Sequence, residues 1–235
     1  MKTLAVIIPI YNEARSIPKL VQEISELPEG VVSEVIFVND GSTDDTVKLL
    51  EEAVSKTHLN FKIVSKKNGG KASAIQAGVK EVHSSHSLIL DADLELATTD
   101  ILRLWDVVLA GKSETVFGYR SFLAQSSFTY RYAKGNHVIS NLYGLLFNAV
   151  ITDIMCGYKL VPTPMLQSLP FKFKKYAIEI EIPIHLWENK IRPYEVQVDY
   201  FPRSRAEGKG ITVHDAVSII TSMIFYRLFK FHKKW

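Results

Sequence analysis

Asp91, Ala92 and Asp93 follow directly on the apolar run Leu88-Ile89-Leu90. Two carboxylates one residue apart at a strand end suit a hard cation and a phosphate-bearing ligand. A lone Asp at such a place would simply cap the next helix. Here two further apolar runs end in the same way. One leads into Pro9, Tyr11, Asn12 and Glu13, the other into Asn39, Asp40, Gly41, Ser42 and Thr43. Three polar tips of this kind speak against capping alone. In an open α/β sheet, ligands bind beyond the carboxyl ends of the strands.

The elements that position these tips follow from hydrophobic period. Residues 4–10, 33–38, 61–64, 87–90 and 114–118 read as strands. Between them, residues 16–27, the stretch after Asp44 or Asp45, and residues 71–82 and 98–109 read as helices. This alternation predicts a mostly parallel sheet with helices on both faces. The second half differs. Residues 131–150 read as one long helix, 176–187 as another and 195–200 as a strand. Residues 201–210 are polar, basic and glycine-bearing and read as a loop, before a last helix over 212–231.

A chain of 235 residues is long enough for one α/β domain with a sizeable core. A charged content of 23% with 47% apolar residues excludes wholesale disorder. The net charge of +3 is too mild for a dedicated nucleic-acid binder. Cys156, the single cysteine, fits a reducing compartment and reads as a buried small side chain. Leu4 to Ile10 is a short strand rather than a signal peptide. No run reaches the ~18–20 apolar residues that span a bilayer.

Taken in order, Pro9-Ile10-Tyr11-Asn12-Glu13, Asn39-Asp40-Gly41-Ser42-Thr43-Asp44 and Asp91-Ala92-Asp93 resemble the family 2 glycosyltransferases with the GT-A fold. The likeness continues through Arg120, Asp153 to Tyr158, and Arg203 to Lys209, as in the synthases that make polyprenyl- or dolichyl-phosphate sugars. It implies a single GT-A domain over residues 1–235, with a nucleotide-binding half to about 120 and an acceptor half beyond it.

The resemblance also implies roles. Pro9, Tyr11, Glu13, Asp40, Asp91, Ala92 and Asp93 would bind a nucleotide sugar, with the Tyr11 ring against the base. Asp93, with Glu95, would hold Mg²⁺ or Mn²⁺. Arg120 and Arg131 would hold the acceptor's phosphate, for which the planar guanidinium fork is suited. Arg203 and Lys209 would close over the diphosphate. Asp153 would act as base towards a hydroxyl acceptor, or position sugar hydroxyls and order the arginines if the acceptor is a phosphate. Asn39 stands where many relatives carry a second Asp. Asn68-Gly69-Gly70-Lys71 lacks the full P-loop pattern, and Lys71 is either near phosphate or a solvated turn residue. Glu179 and Glu181 do not share a helix face.

The expected activity is inverting, metal-dependent transfer of a sugar from a GDP- or UDP-sugar to polyprenyl or dolichyl phosphate. Such an enzyme would sit on the cytoplasmic face of a membrane. Val213, Val217, Ile220, Ile224 and Leu228, with Arg227, Lys230, Lys233, Lys234 and Trp235 around them, suit an anionic lipid surface. The same helix could pack on its own domain or on a membrane-anchoring subunit. Two rival readings are extension of a glycan hydroxyl and a non-catalytic nucleotide-binding subunit. A dehydrogenase is a poorer reading still, because the first strand-helix junction lacks Gly-x-Gly-x-x-Gly.

Overall fold

The computed structural model describes residues 1–121, 130–173, 175–203 and 213–229. Its elements run β1 (Leu4–Ile10), α1 (Ile17–Ser25), β2 (Glu34–Asn39), α2 (Thr46–Val54), β3 (Phe61–Ser65), α3 (Lys71–Val79), β4 (His86–Ile89) and α4 (Asp100–Leu109). Then come β5 (Val116–Arg120), α5 (Tyr130–Phe147), β6 (Lys159–Pro162), α6 (Thr163–Gln167), α7 (Ile178–Glu188), β7 (Tyr194–Val198) and α8 (Val213–Phe229). The strands form one sheet in the order β3-β2-β1-β4-β6-β5-β7.

β1 lies inside the sheet, parallel to β2 on one side and β4 on the other. That explains its unbroken apolar run, because both of its faces are covered. Its side chains alternate between two cores. Val6, Ile8 and Ile10 pack with Leu20 and Ile24 of α1 and Leu104 of α4. Ala5 and Ile7 pack with Ile75 of α3, Tyr143 of α5 and Ile180 of α7. Gly78 lets α3 lie close on the sheet: a Cβ there would come within 2.8 Å of methyls on Ile7 and Val38.

The sheet reverses at β6, which is antiparallel to both β4 and β5, while β5 and β7 are again parallel. This strand was not expected. Lys159 to Pro162 is four residues long, ends in proline and is covered on both faces, so it has no alternation to detect. Its insertion places Asp153 to Tyr158 beside the ends of β4 and β5. α8 packs Ile219, Met223 and Tyr226 inward, while Val217, Ile224 and Leu228 are exposed. It is therefore apolar on its packed and on its open side.

Leu160 of β6 is fully buried between β4 and β5. Leu160→Ala is expected to lower the unfolding free energy by about 2–5 kcal/mol, read from urea unfolding at constant slope.

Candidate active site

The three tips meet in one cleft of about 580 Å³. Its lining includes Pro9, Tyr11, Glu13, Asp40, Asp91, Ala92, Asp93, Glu95, Arg120 and Arg203. The first two tips are laced together: Thr43 N–H donates to Asn12 Oδ1 at 2.8 Å, and Asn12 N–H donates to Ser42 Oγ at 3.1 Å. Tyr11 keeps its ring 48% exposed at the rim, where a planar base can stack on it. Asp40 is buried, and its carboxylate gathers the 66–70 loop. It accepts from Lys66 Nζ at 2.6 Å and from the Gly69 and Gly70 amides at 3.0 and 2.6 Å.

Carboxylates converge on the third tip, and the protein meets them with its own cations. Arg203 Nη1 lies 3.1 Å from Glu13 Oε2, and Nη2 lies 3.3 Å from Asp93 Oδ2. Arg203 N–H donates to Glu95 Oε1 at 3.0 Å. Its Nε, 3.9 Å from Glu95, is a buried donor with no hydrogen-bond partner among the described residues. Burial first, then the neighbouring Asp91 and Glu95, push the Asp93 carboxyl up to about 7, against the pull of Arg203. Among the described residues no cluster of three His, Cys, Asp or Glu side chains suits a metal ion. Asp93 and Glu95 nevertheless fit a Mg²⁺-type ion, which takes one or two carboxylates and completes its shell with phosphate oxygens and water. The guanidinium that these two carboxylates draw in shows that they can serve one cation together.

Asp91 faces a different cation. Lys71 Nζ lies 2.6 Å from Asp91 Oδ1 and 2.6 Å from Glu179 Oε1. Burial alone would lower the Lys71 pKa, but Asp91 and Glu179 raise it overall, so the ammonium stays charged. Glu179 also bonds Lys159, whose ammonium reaches the Ile154 carbonyl at 3.1 Å. Gly157 closes this wall, since a Cβ there would stand 2.5 Å from Asp91 Oδ2. Lys71 is thus not a solvated turn residue: it lines the cleft as a bridge between carboxylates. Glu181 points elsewhere and accepts from the Lys172 and Phe173 amides at 2.6 and 3.0 Å.

Asp153, expected among the catalytic residues, does not line the cleft. It is 1% exposed and accepts from Arg120 Nε at 2.7 Å, Arg120 Nη2 at 3.0 Å and Asn136 Nδ2 at 2.6 Å. Burial would raise its pKa, but Arg120 and Asn136 hold it below its ordinary value. A carboxylate so saturated is a poor base, and its place is that of an anchor for Arg120. Arg120 itself is 6% exposed and reaches the cleft with the guanidinium over the Tyr200 ring, 5.0 Å from its centroid. Tyr200, which the sequence did not single out, also donates to Glu95 Oε2 at 2.7 Å. It therefore joins the Arg120 side of the cleft to the Glu95 side. Cys156 is buried, and burial pushes its thiol up to about 12, which removes it as a nucleophile. Lys209, the tail residues Lys230, Lys233, Lys234 and Trp235, and the side chain of Arg131 lie outside the described residues.

Arg120→Met should leave Asp153 buried without its main partner and cost about 3–5 kcal/mol of stability by chemical denaturation. Adding Asp153→Leu should recover most of that loss. Since the Asp153 pKa is lowered on folding, its contribution is complete above the ordinary value of 3.8 and lost as the pH falls below it. The double variant should lack this acid-dependent loss.

Comparison with known proteins agrees with this arrangement. The family model described as glycosyl transferase family 2 matches residues 5–168. Dolichyl-phosphate beta-glucosyltransferase ALG5D of Trichomonas vaginalis is 26% identical, over 94% of this chain and 73% of that protein. Undecaprenyl-phosphate 4-deoxy-4-formamido-L-arabinose transferase of Proteus mirabilis is 32% identical over 76% of this chain, which spans 59% of that protein's length. Among solved structures, glucosyl-3-phosphoglycerate synthase of Mycobacterium tuberculosis, in complex with Mn²⁺, UDP and phosphoglyceric acid, has the same fold. The TM-score is 0.74 at 19% identity, covering 96% of this chain and 78% of that one. With a GT-A sheet whose three tips form one acidic cleft, and a family match over most of its length, the chain belongs to glycosyl transferase family 2 and is a glycosyltransferase.

Proposed function

We propose that the protein transfers a sugar, with inversion, from a GDP- or UDP-sugar to a polyprenyl or dolichyl phosphate at a membrane surface. The observation that carries this reading is the pairing of Asp153 with Arg120. It removes Asp153 as a base for a hydroxyl acceptor and gives the cleft an oriented guanidinium instead. A phosphate monoester needs no strong base, because it is already anionic near neutral pH, its second pKa being about 6. Relatives named for dolichyl-phosphate and undecaprenyl-phosphate transfer support the same acceptor class.

In this reading Tyr11 and Asp40 flank the nucleoside, and Asp93 and Glu95 face the diphosphate. A bound Mg²⁺ or Mn²⁺ would offset negative charge on the departing diphosphate. Arg203 neutralises the same carboxylates. Asp93 and Glu95 would hold the divalent ion, and Arg203, whose guanidinium lies beside them, would be at hand for the diphosphate oxygens. Lys71, bridging to Glu179, fixes the position of Asp91. Arg120 holds the acceptor oxygen in line with the anomeric carbon. The bond to the diphosphate breaks as that oxygen attacks, so catalysis is positioning and charge stabilisation.

No helix among the described residues is long and apolar enough to cross a membrane. Contact with a lipid acceptor then depends on the surface of the protein, at the cytoplasmic face, or on an anchoring subunit.

Labelled GDP- and UDP-sugars offered with polyprenyl phosphate, a free saccharide and phosphoglyceric acid test the reading. Label is expected in the lipid phosphate with one of the two donors; label in the saccharide or in phosphoglyceric acid instead would overturn the acceptor. Asp93→Asn should keep the fold and lower turnover about a hundredfold or more. Divalent-ion affinity should rise with pH through about 7, where half of the Asp93 carboxyls have lost the proton, and level off above that. Calorimetric Mn²⁺ titrations across that range, without donor, read this directly.

A further inference from the structure

A second cavity, of about 760 Å³, opens where α5, α7 and α8 meet. No described residue lines both it and the catalytic cleft. Its inner wall is aromatic. Tyr143 and Phe147 of α5 stack at 4.8 Å between ring centroids, and Trp187 of α7 meets Phe147 edge-on at 5.2 Å. Its polar wall is basic: Lys190, Arg192 and Arg227 line it, and no carboxylate does among the described residues. The Arg227 guanidinium is fixed there, lying 5.6 Å over the Trp187 ring with Nε donating to the Leu146 carbonyl.

The surroundings say what kind of anion fits. Val150, in the lining, is 89% exposed, and Ile191 beside Arg192 is exposed as well. Leu145 on α5 and Phe225, Leu228 and Phe229 on α8 are also bare. A free phosphate or nucleotide would satisfy the cations and leave this apolar surface in water. A bilayer satisfies both, because headgroup phosphates lie directly above an apolar boundary. The chain continues the same chemistry past α8 as Lys-Phe-His-Lys-Lys-Trp.

We propose that the cavity between α5, α7 and α8 seats the phosphate headgroup of an anionic membrane lipid, with its apolar rim in the acyl boundary. The site is separate from the acceptor position at Arg120. It would fix how the protein stands on the membrane while the cleft takes its substrate. The proposal rests on the reading that the acceptor is a lipid phosphate.

Flotation of the full chain with vesicles tests it. The protein should float with phosphatidylglycerol-containing vesicles at low salt and remain behind with phosphatidylcholine alone. Arg192→Glu, at an exposed position, should weaken binding to the anionic vesicles about tenfold, since each basic side chain near such a surface contributes about fivefold. Val150→Glu, which leaves the cations in place, should weaken it too. Both variants should still glycosylate a short-chain, water-soluble polyprenyl phosphate at the wild-type rate. Equal flotation of Arg192→Glu and wild type overturns the site. Failure of the wild type to float overturns it in favour of a protein partner on this face. If the wild type floats but never glycosylates the soluble phosphate, the proposed acceptor falls and the lipid site stands.

Discussion

Glu13, Asp91, Asp93, Glu95 and Glu179 face one cleft, and like charges so close cannot remain ionised in a partly buried place without cations among them. Most of the architecture around the strand ends answers that constraint. Arg203 reaches Glu13, Asp93 and Glu95 from beyond β7, and Lys71 reaches Asp91 and Glu179 from the first turn of α3. Lys159, buried on β6, holds Glu179 from behind. Each cation comes from a different part of the chain, so the cleft is assembled only when the whole sheet is. Asp93 is left with a strongly raised pKa, which marks it as a carboxylate that gains from a further cation.

The antiparallel insertion of β6 divides the labour. On its β4 side the chain is a repeated strand-helix pattern whose tips carry Tyr11, Asp40 and Asp93. On its β5 side the segment before it brings Asp153 under Arg120 and Gly157 against Asp91. The two walls of the cleft thus share one sheet.

The first half was legible because each tip is a local signal: an apolar run followed at once by polar residues. Helix period located α1, α3 and α4, and even the long α5 and the last helix were visible. The links across the cleft were not. Lys71 and Glu179 are 108 residues apart and Arg203 and Glu13 are 190 apart, so no local pattern announces either pair. Arg120 and Asp153 were each noticed, yet their mutual pairing turns on a burial that composition does not show. Tyr200 looked like the end of an alternating strand, and only its place beside both Glu95 and Arg120 gives it a part in the site.

The wall at Gly157 has a consequence for redesign. A Cβ there would stand 2.5 Å from Asp91 Oδ2, so a side chain at this place must push the carboxylate that Lys71 holds. A library aimed at new donor sugars therefore disturbs the Asp91–Lys71 pair whenever it varies position 157. Met155 and Tyr176 line the same cleft with side chains of their own and offer room for change in shape. The cleft has a rigid side and an adjustable side, and diversity introduced on the second leaves the charge arrangement of the first intact.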